Sequence, residues 1–190
     1  MMQFLRYESF DIELYNDYTY TQNSTDNCNL YDNEYVKNAD IDSLTSKYGI
    51  RISKDGQQYK SVILLTGGGG KTSVHSNSAV LDDENLVVAL GDSIFNIQLP
   101  DLELNWIVQG DDSLCFAIYR ISDGYVVHGE LAITKVSRDG KIDWQFYGRD
   151  IFVTQDGVDS LVIEDDRIKV KDWENNLYEI DFNGKEIKGA

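Results

Sequence analysis

The sequence is poor in proline, cysteine, long apolar runs and positive charge, and each shortage removes a class of protein. One proline in 190 residues, beside 15 glycines, points to short tight turns in place of Pro-rich linkers. Two cysteines without a C-x-x-C pair supply neither a zinc ribbon nor a thioredoxin-type redox motif. Cys28 lies in the polar stretch Asn23–Asn29, which reads as a loop. Cys115, between Leu114 and Phe116, reads as a buried thiol, and reduced thiols are expected over a disulfide. The longest apolar run, Val62-Ile63-Leu64-Leu65, falls far short of the roughly 20 residues that cross a bilayer. Met1–Glu8 lacks the basic start and apolar stretch of a secretory signal, so a soluble, cytoplasmic protein is expected.

Seventeen basic residues against 33 acids leave a formal charge of −16. Such a chain is repelled by phosphate backbones and anionic lipid, so neither nucleic acid nor membrane is an expected partner. The same charge steers a basic protein toward a binding face.

What the sequence does have is alternation and repetition. Phe95, Ile97 and Leu99, then Tyr178, Ile180 and Phe182, alternate as half-buried strands do. Val88-Ala89-Leu90-Gly91-Asp92 matches Val126-Val127-His128-Gly129-Glu130, and the match runs on at the same offset to Trp106 and Trp144. A looser third copy starts at Ser160-Leu161-Val162-Ile163 and ends on an Asn183-Gly184 hairpin turn. The spacing predicts all-β architecture: three consecutive four-stranded antiparallel meanders, near Ser78–Val108, Leu114–Tyr147 and Ser160–Lys188. Residues 1–190 are expected to form a single domain, with 1–77 an irregular N-terminal cap and 78–190 the repeats. Within the cap, a hairpin turns at Lys54-Asp55-Gly56. Ile41, Leu44 and Tyr48 predict one short helix over Asp40–Gly49.

The segment Leu131–Trp144, with its strand, its Asp139-Gly140-Lys141 turn and its Trp, resembles a blade of the PQQ-like and WD40-like propeller repeats. The resemblance covers the three units. It implies a propeller-like sheet arrangement with Trp packed between blades, and no particular activity. PQQ is not implied, because no cofactor cradle maps onto the chain, and no cofactor is expected. A two-sheet sandwich is the alternative architecture.

Chemistry-bearing motifs are few. Thr66-Gly67-Gly68-Gly69-Gly70-Lys71-Thr72-Ser73 approaches a phosphate loop, but the first glycine that motif requires falls on Leu65, and no helix pattern follows. Its backbone is either an anion-binding nest or a flexible connection. His128 replaces the apolar Leu90 of the first copy and needs hydrogen-bond partners there. It is either a satisfied structural histidine or a base or ligand working with Glu130 or His75. The ligand-binding candidates are therefore Gly68, Gly69, Gly70, Lys71, Thr72, His75, His128 and Glu130. His128-Gly129-Glu130 lacks the P-C-x-x-C half of a zinc deaminase, the acid pairs lack calcium-loop spacing, and no metal site is expected. Trp106, Trp144 and Trp173 could offer an aromatic platform for sugars, but the repeat-equivalent first two fit inter-blade packing better. Two readings of function follow: a non-enzymatic protein-binding module, such as an immunity-type inhibitor of a basic protein, or a small-ligand site or enzyme built from the glycine loop and the two histidines.

Overall fold

Alternating apolar residues dictate strands whose two faces feed two different cores. A computed structural model describes residues 1–37, 44–155 and 160–188. The N-terminal sheet contains β1 (Met2–Tyr7), β2 (Phe10–Asn16), β3 (Asn33–Val36), β4 (Ser46–Lys54) and β5 (Gln57–Thr66), in the order β1-β2-β4-β5-β3. All its pairings are antiparallel except β3 with β5. Three four-stranded antiparallel meanders follow, each with its strands in sequence order. Unit one is β6 (Ala79–Asp82), β7 (Asn85–Leu90), β8 (Ser93–Gln98) and β9 (Glu103–Gln109). Unit two is β10 (Cys115–Ile121), β11 (Gly124–Gly129), β12 (Ala132–Ser137) and β13 (Ile142–Tyr147). Unit three is β14 (Leu161–Ile163), β15 (Ile168–Lys171), β16 (Leu177–Ile180) and β17 (Glu186–Lys188).

The predicted helix is corrected. Asp40–Ser43 lie outside the described residues, and Ser46–Gly49 belong to β4, so no helix occurs among the described residues. The helical spacing of Leu44 and Tyr48 competes with the period-two run Tyr48, Ile50, Ile52. The strand wins because that face buries against unit one.

β7 explains how sheets stack into one body. Leu86, Val88 and Leu90 pack with Ile12, Ile50 and Val62 of the N-terminal sheet. Val87 and Ala89, pointing the other way, pack with Ile118, Tyr125 and Val127 of unit two. A strand buried on both faces must be apolar throughout, hence Leu86-Val87-Val88-Ala89-Leu90. A third cluster joins Val126 and Ile133 of unit two to Ile168, Val170 and Ile180 of unit three. Each fully buried Val, Leu or Ile contributes roughly 1.5–3 kcal/mol to holding these layers together.

Tryptophan latches connect successive units. The Trp106 indole on β9 donates Nε1–H to the Arg138 carbonyl in the last hairpin of unit two, at 3.1 Å. Trp144 on β13 repeats the contact with the Phe182 carbonyl of unit three, at 3.0 Å. Each indole lies under a hairpin glycine, Gly140 or Gly184, where a Cβ would come within 2.7 or 2.6 Å of the ring. At the outer ends the apolar stacking stops. Tyr20, Tyr31 and Val36 cover Ile63 and Leu65 on the far face of the N-terminal sheet. The far face of unit three carries Lys169–Glu164 and Arg167–Glu179 ion pairs, each at 2.7 Å.

Candidate functional site

An up-and-down meander places its first and last hairpins at one end. Its middle turn, and the link to the next unit, sit at the opposite end. The glycine loop is such a link, running from β5 to β6. The Asp92 N–H donates to the Gly67 carbonyl at 3.3 Å, the Gly69 N–H to Ser113 at 3.0 Å, and the Thr45 hydroxyl to Gly70 at 2.6 Å. Contact here is too close for a side chain: a Cβ on Gly68 would lie 2.6 Å from the Ser113 carbonyl oxygen. The Ser113 hydroxyl donates in turn to Glu130 at 2.6 Å. Gly69 and Glu130, far apart in sequence, are thereby brought to one residue between them.

Neighbouring acids hold this end in place. Asp92 accepts from the Thr66 hydroxyl at 2.8 Å and pairs with Lys37 at 3.2 Å. Asp111, buried, accepts from the Leu131 and Ala132 N–H groups, both at 2.9 Å, and from Ser113 N–H at 2.7 Å. Burial raises its pKa above the ordinary 3.8, and the three N–H donors offset that only in part.

The other candidates have defined partners. Lys71 places its ammonium over the Tyr18 ring, 4.0 Å from the centroid. The Thr72 hydroxyl accepts the Gly91 N–H at 3.1 Å and donates to Ser46 at 3.2 Å. His75 accepts the Asn77 N–H on Nδ1 at 3.2 Å, so Nε2 carries the proton and donates to the Phe116 carbonyl at 2.7 Å. His128 is 6% exposed; its Nε2 meets the Phe152 carbonyl at 2.9 Å and the Ser160 hydroxyl at 3.0 Å. The Phe116 ring stands edge-on to His128, with centroids 5.5 Å apart. The two histidines thus flank Phe116, one on its carbonyl and one on its ring, while Gly69 and Glu130 meet at Ser113.

No family model and no curated protein matches the chain. Solved structures do. The computationally designed Ika8 protein is similar over 98% of this chain and 48% of its own, at 9% identity and a TM-score of 0.52. The Neurospora crassa Pan2 WD40 domain covers 60% of this chain and 37% of its own, at 16% identity and a TM-score of 0.48. The AfRom2 CNH domain covers 98% and 66%, at 10% identity and a TM-score of 0.49. The chain therefore spans between 37% and 66% of the length of these structures. The architecture is all-β, repetitive and propeller-like. At such identities the likeness concerns fold alone.

The opposite end holds what motif reading missed. From Thr72 to Tyr119 the chain has eight acids and no lysine or arginine. Of these, Asp83, Glu84, Asp101 and Glu103 are exposed at the hairpin end of unit one. Their field reaches Tyr7, whose pKa is raised by desolvation and then by Glu8 and Glu84. Counting charge by segment, instead of over the whole chain, would have found this end.

Proposed function

We propose that the protein is a non-enzymatic binding module that engages a basic protein through the carboxylate-lined hairpin end of unit one, as an immunity-type inhibitor would. The observation that carries this reading is the 48-residue stretch 72–119, which has no lysine or arginine and exposes Asp83, Glu84, Asp101 and Glu103 at the hairpin end of unit one. Asp82, the buried acid of the same turn, is neutralised by Arg120 at 2.7 Å and Arg138 at 3.2 Å. The exposed acids beside it are left to face outward. The rigid stack behind them presents the charges in fixed positions, which raises the association rate of an oppositely charged partner.

The test is to isolate the partner and measure affinity for the parent chain and for the triple variant Asp83→Lys/Glu84→Lys/Glu103→Lys. These side chains are exposed, so folding is expected to survive. Affinity should fall more than about tenfold in the variant, and for the parent between about 50 mM and 500 mM salt. Affinity indifferent to both changes would overturn the assignment.

A further inference from the structure

Between units one and two, at the hairpin end, lies a cleft of about 340 Å³. That volume is within the range of small-molecule sites. Its walls include Asn85, Asn96, Asn105, Trp106, Tyr125 and Arg138. We propose that this cleft binds a neutral, hydroxyl-rich ligand of the carbohydrate class, independently of any protein partner.

Charge balance comes first. In a chain of formal charge −16, the acids of this cleft have their own countercharges. Asp82 is held by Arg120 and Arg138, Asp83 lies 4.0 Å from Arg120, and Asp139 pairs with Lys141 at 2.5 Å. Three carboxylates against three cations leave no net charge to recruit an ion. A ligand is therefore selected by hydrogen bonding and shape.

The amides supply the hydrogen bonding. Asn105 Nδ2 donates to Asn85 Oδ1 and Asn96 Oδ1, both at 2.8 Å, which fixes the orientation of all three side chains. Two groups are left over: the Asn105 Oδ1 acceptor and the Asn96 Nδ2 donor make no hydrogen bond among the described residues. Asn96 is only 2% exposed and lines the cleft, so the cleft is where its remaining donor meets solvent or a ligand. A hydroxyl group both donates and accepts, and neighbouring hydroxyls on a ring could serve such a donor and acceptor together. The partly exposed Trp106 indole, backed by the buried Tyr125 ring with centroids 6.4 Å apart, adds apolar surface for the C–H face of a sugar. Asp82 accepts the Tyr125 hydroxyl at 2.8 Å and so orients that ring.

The experiment titrates the full chain with D-glucose, D-galactose, D-mannose and N-acetyl-D-glucosamine, each to about 50 mM, following amide and indole resonances by two-dimensional NMR. At least one sugar is expected to give saturable shifts centred on the Asn96 and Asn105 side-chain amides and the Trp106 indole. Asn105→Ala, at an exposed position that leaves the fold intact, should weaken that binding about fivefold to tenfold. Four results would overturn the proposal. They are no saturable shift with any of the sugars, shifts centred elsewhere, unchanged binding by Asn105→Ala, or the same resonances moving with L-arginine and with no sugar. Loss of the protein partner when only Glu84 and Glu103, which lie outside the cleft, are changed to Lys would bear only on the protein-binding reading.

Discussion

Replacing Gly140 by alanine isolates the energy of a tryptophan latch, because Gly56 supplies the matched control. Both glycines follow an aspartate in the turn of a hairpin, with φ of +79° and +76°. An alanine at either position must adopt a left-handed backbone, which costs about 1–2 kcal/mol. At Gly56 that is the whole cost, since a Cβ there meets nothing within 4 Å. At Gly140 the Cβ would lie 2.7 Å from Cδ2 and 2.8 Å from Cγ of Trp106. The indole cannot slide away freely while its Nε1–H is bonded to the Arg138 carbonyl. Overpacking adds about 1–3 kcal/mol, and a displaced hydrogen bond about 1 kcal/mol more. Gly140→Ala should therefore lose about 3–6 kcal/mol of unfolding free energy where Gly56→Ala loses about 1–2. Urea titrations followed by tryptophan fluorescence and far-UV circular dichroism would measure both. Equal losses in the two variants would refute the latch as a stabilising contact.

Three further outcomes follow from the geometry. His128→Leu should cost about 1–3 kcal/mol, because it strips the Phe152 carbonyl of its imidazole donor, and should leave partner affinity unchanged; urea midpoints and a binding titration check the two halves. Burial alone would raise the Asp172 pKa, but the side chains of Asn176 and Tyr178 and nearby N–H groups hold it below 3.8. A depressed carboxylate stabilises the fold above its unfolded pKa and loses that contribution as pH falls through the folded value, so urea midpoints of Asp172→Asn should drop less steeply below about pH 4 than those of the parent. Cys28 is exposed and Cys115 is buried, with burial pushing the latter's pKa well up, so a thiol reagent should label one sulfur in the native protein and both in urea.

The repeats could be read from sequence because their signals are local and doubled. Gly-acid turns follow apolar runs at a fixed offset, and Trp106 and Trp144 share it. The parallel strand β3 gave no such signal: Asn33-Glu34-Tyr35-Val36 is four residues without alternation, and it is fixed by distant contacts such as the Tyr35 hydroxyl donating to the Leu102 carbonyl at 2.9 Å. Of the candidate site residues, Gly69 and Glu130 meet only through Ser113, which nothing in the sequence distinguishes. The amide cleft was equally hidden, because Asn85, Asn96 and Asn105 lie on three strands whose register brings them together. A short motif cannot encode that convergence.

The latches have a direction. Each uses an indole from one meander and a turn from the next, so a meander that owns both halves can be copied in line with no new contact having to be invented. Unit two carries both halves: four residues after Gly140 comes Trp144, whereas four after Gly184 comes Lys188. A duplicate of unit two inserted ahead of unit three would therefore find an indole behind its glycine and a glycine ahead of its indole.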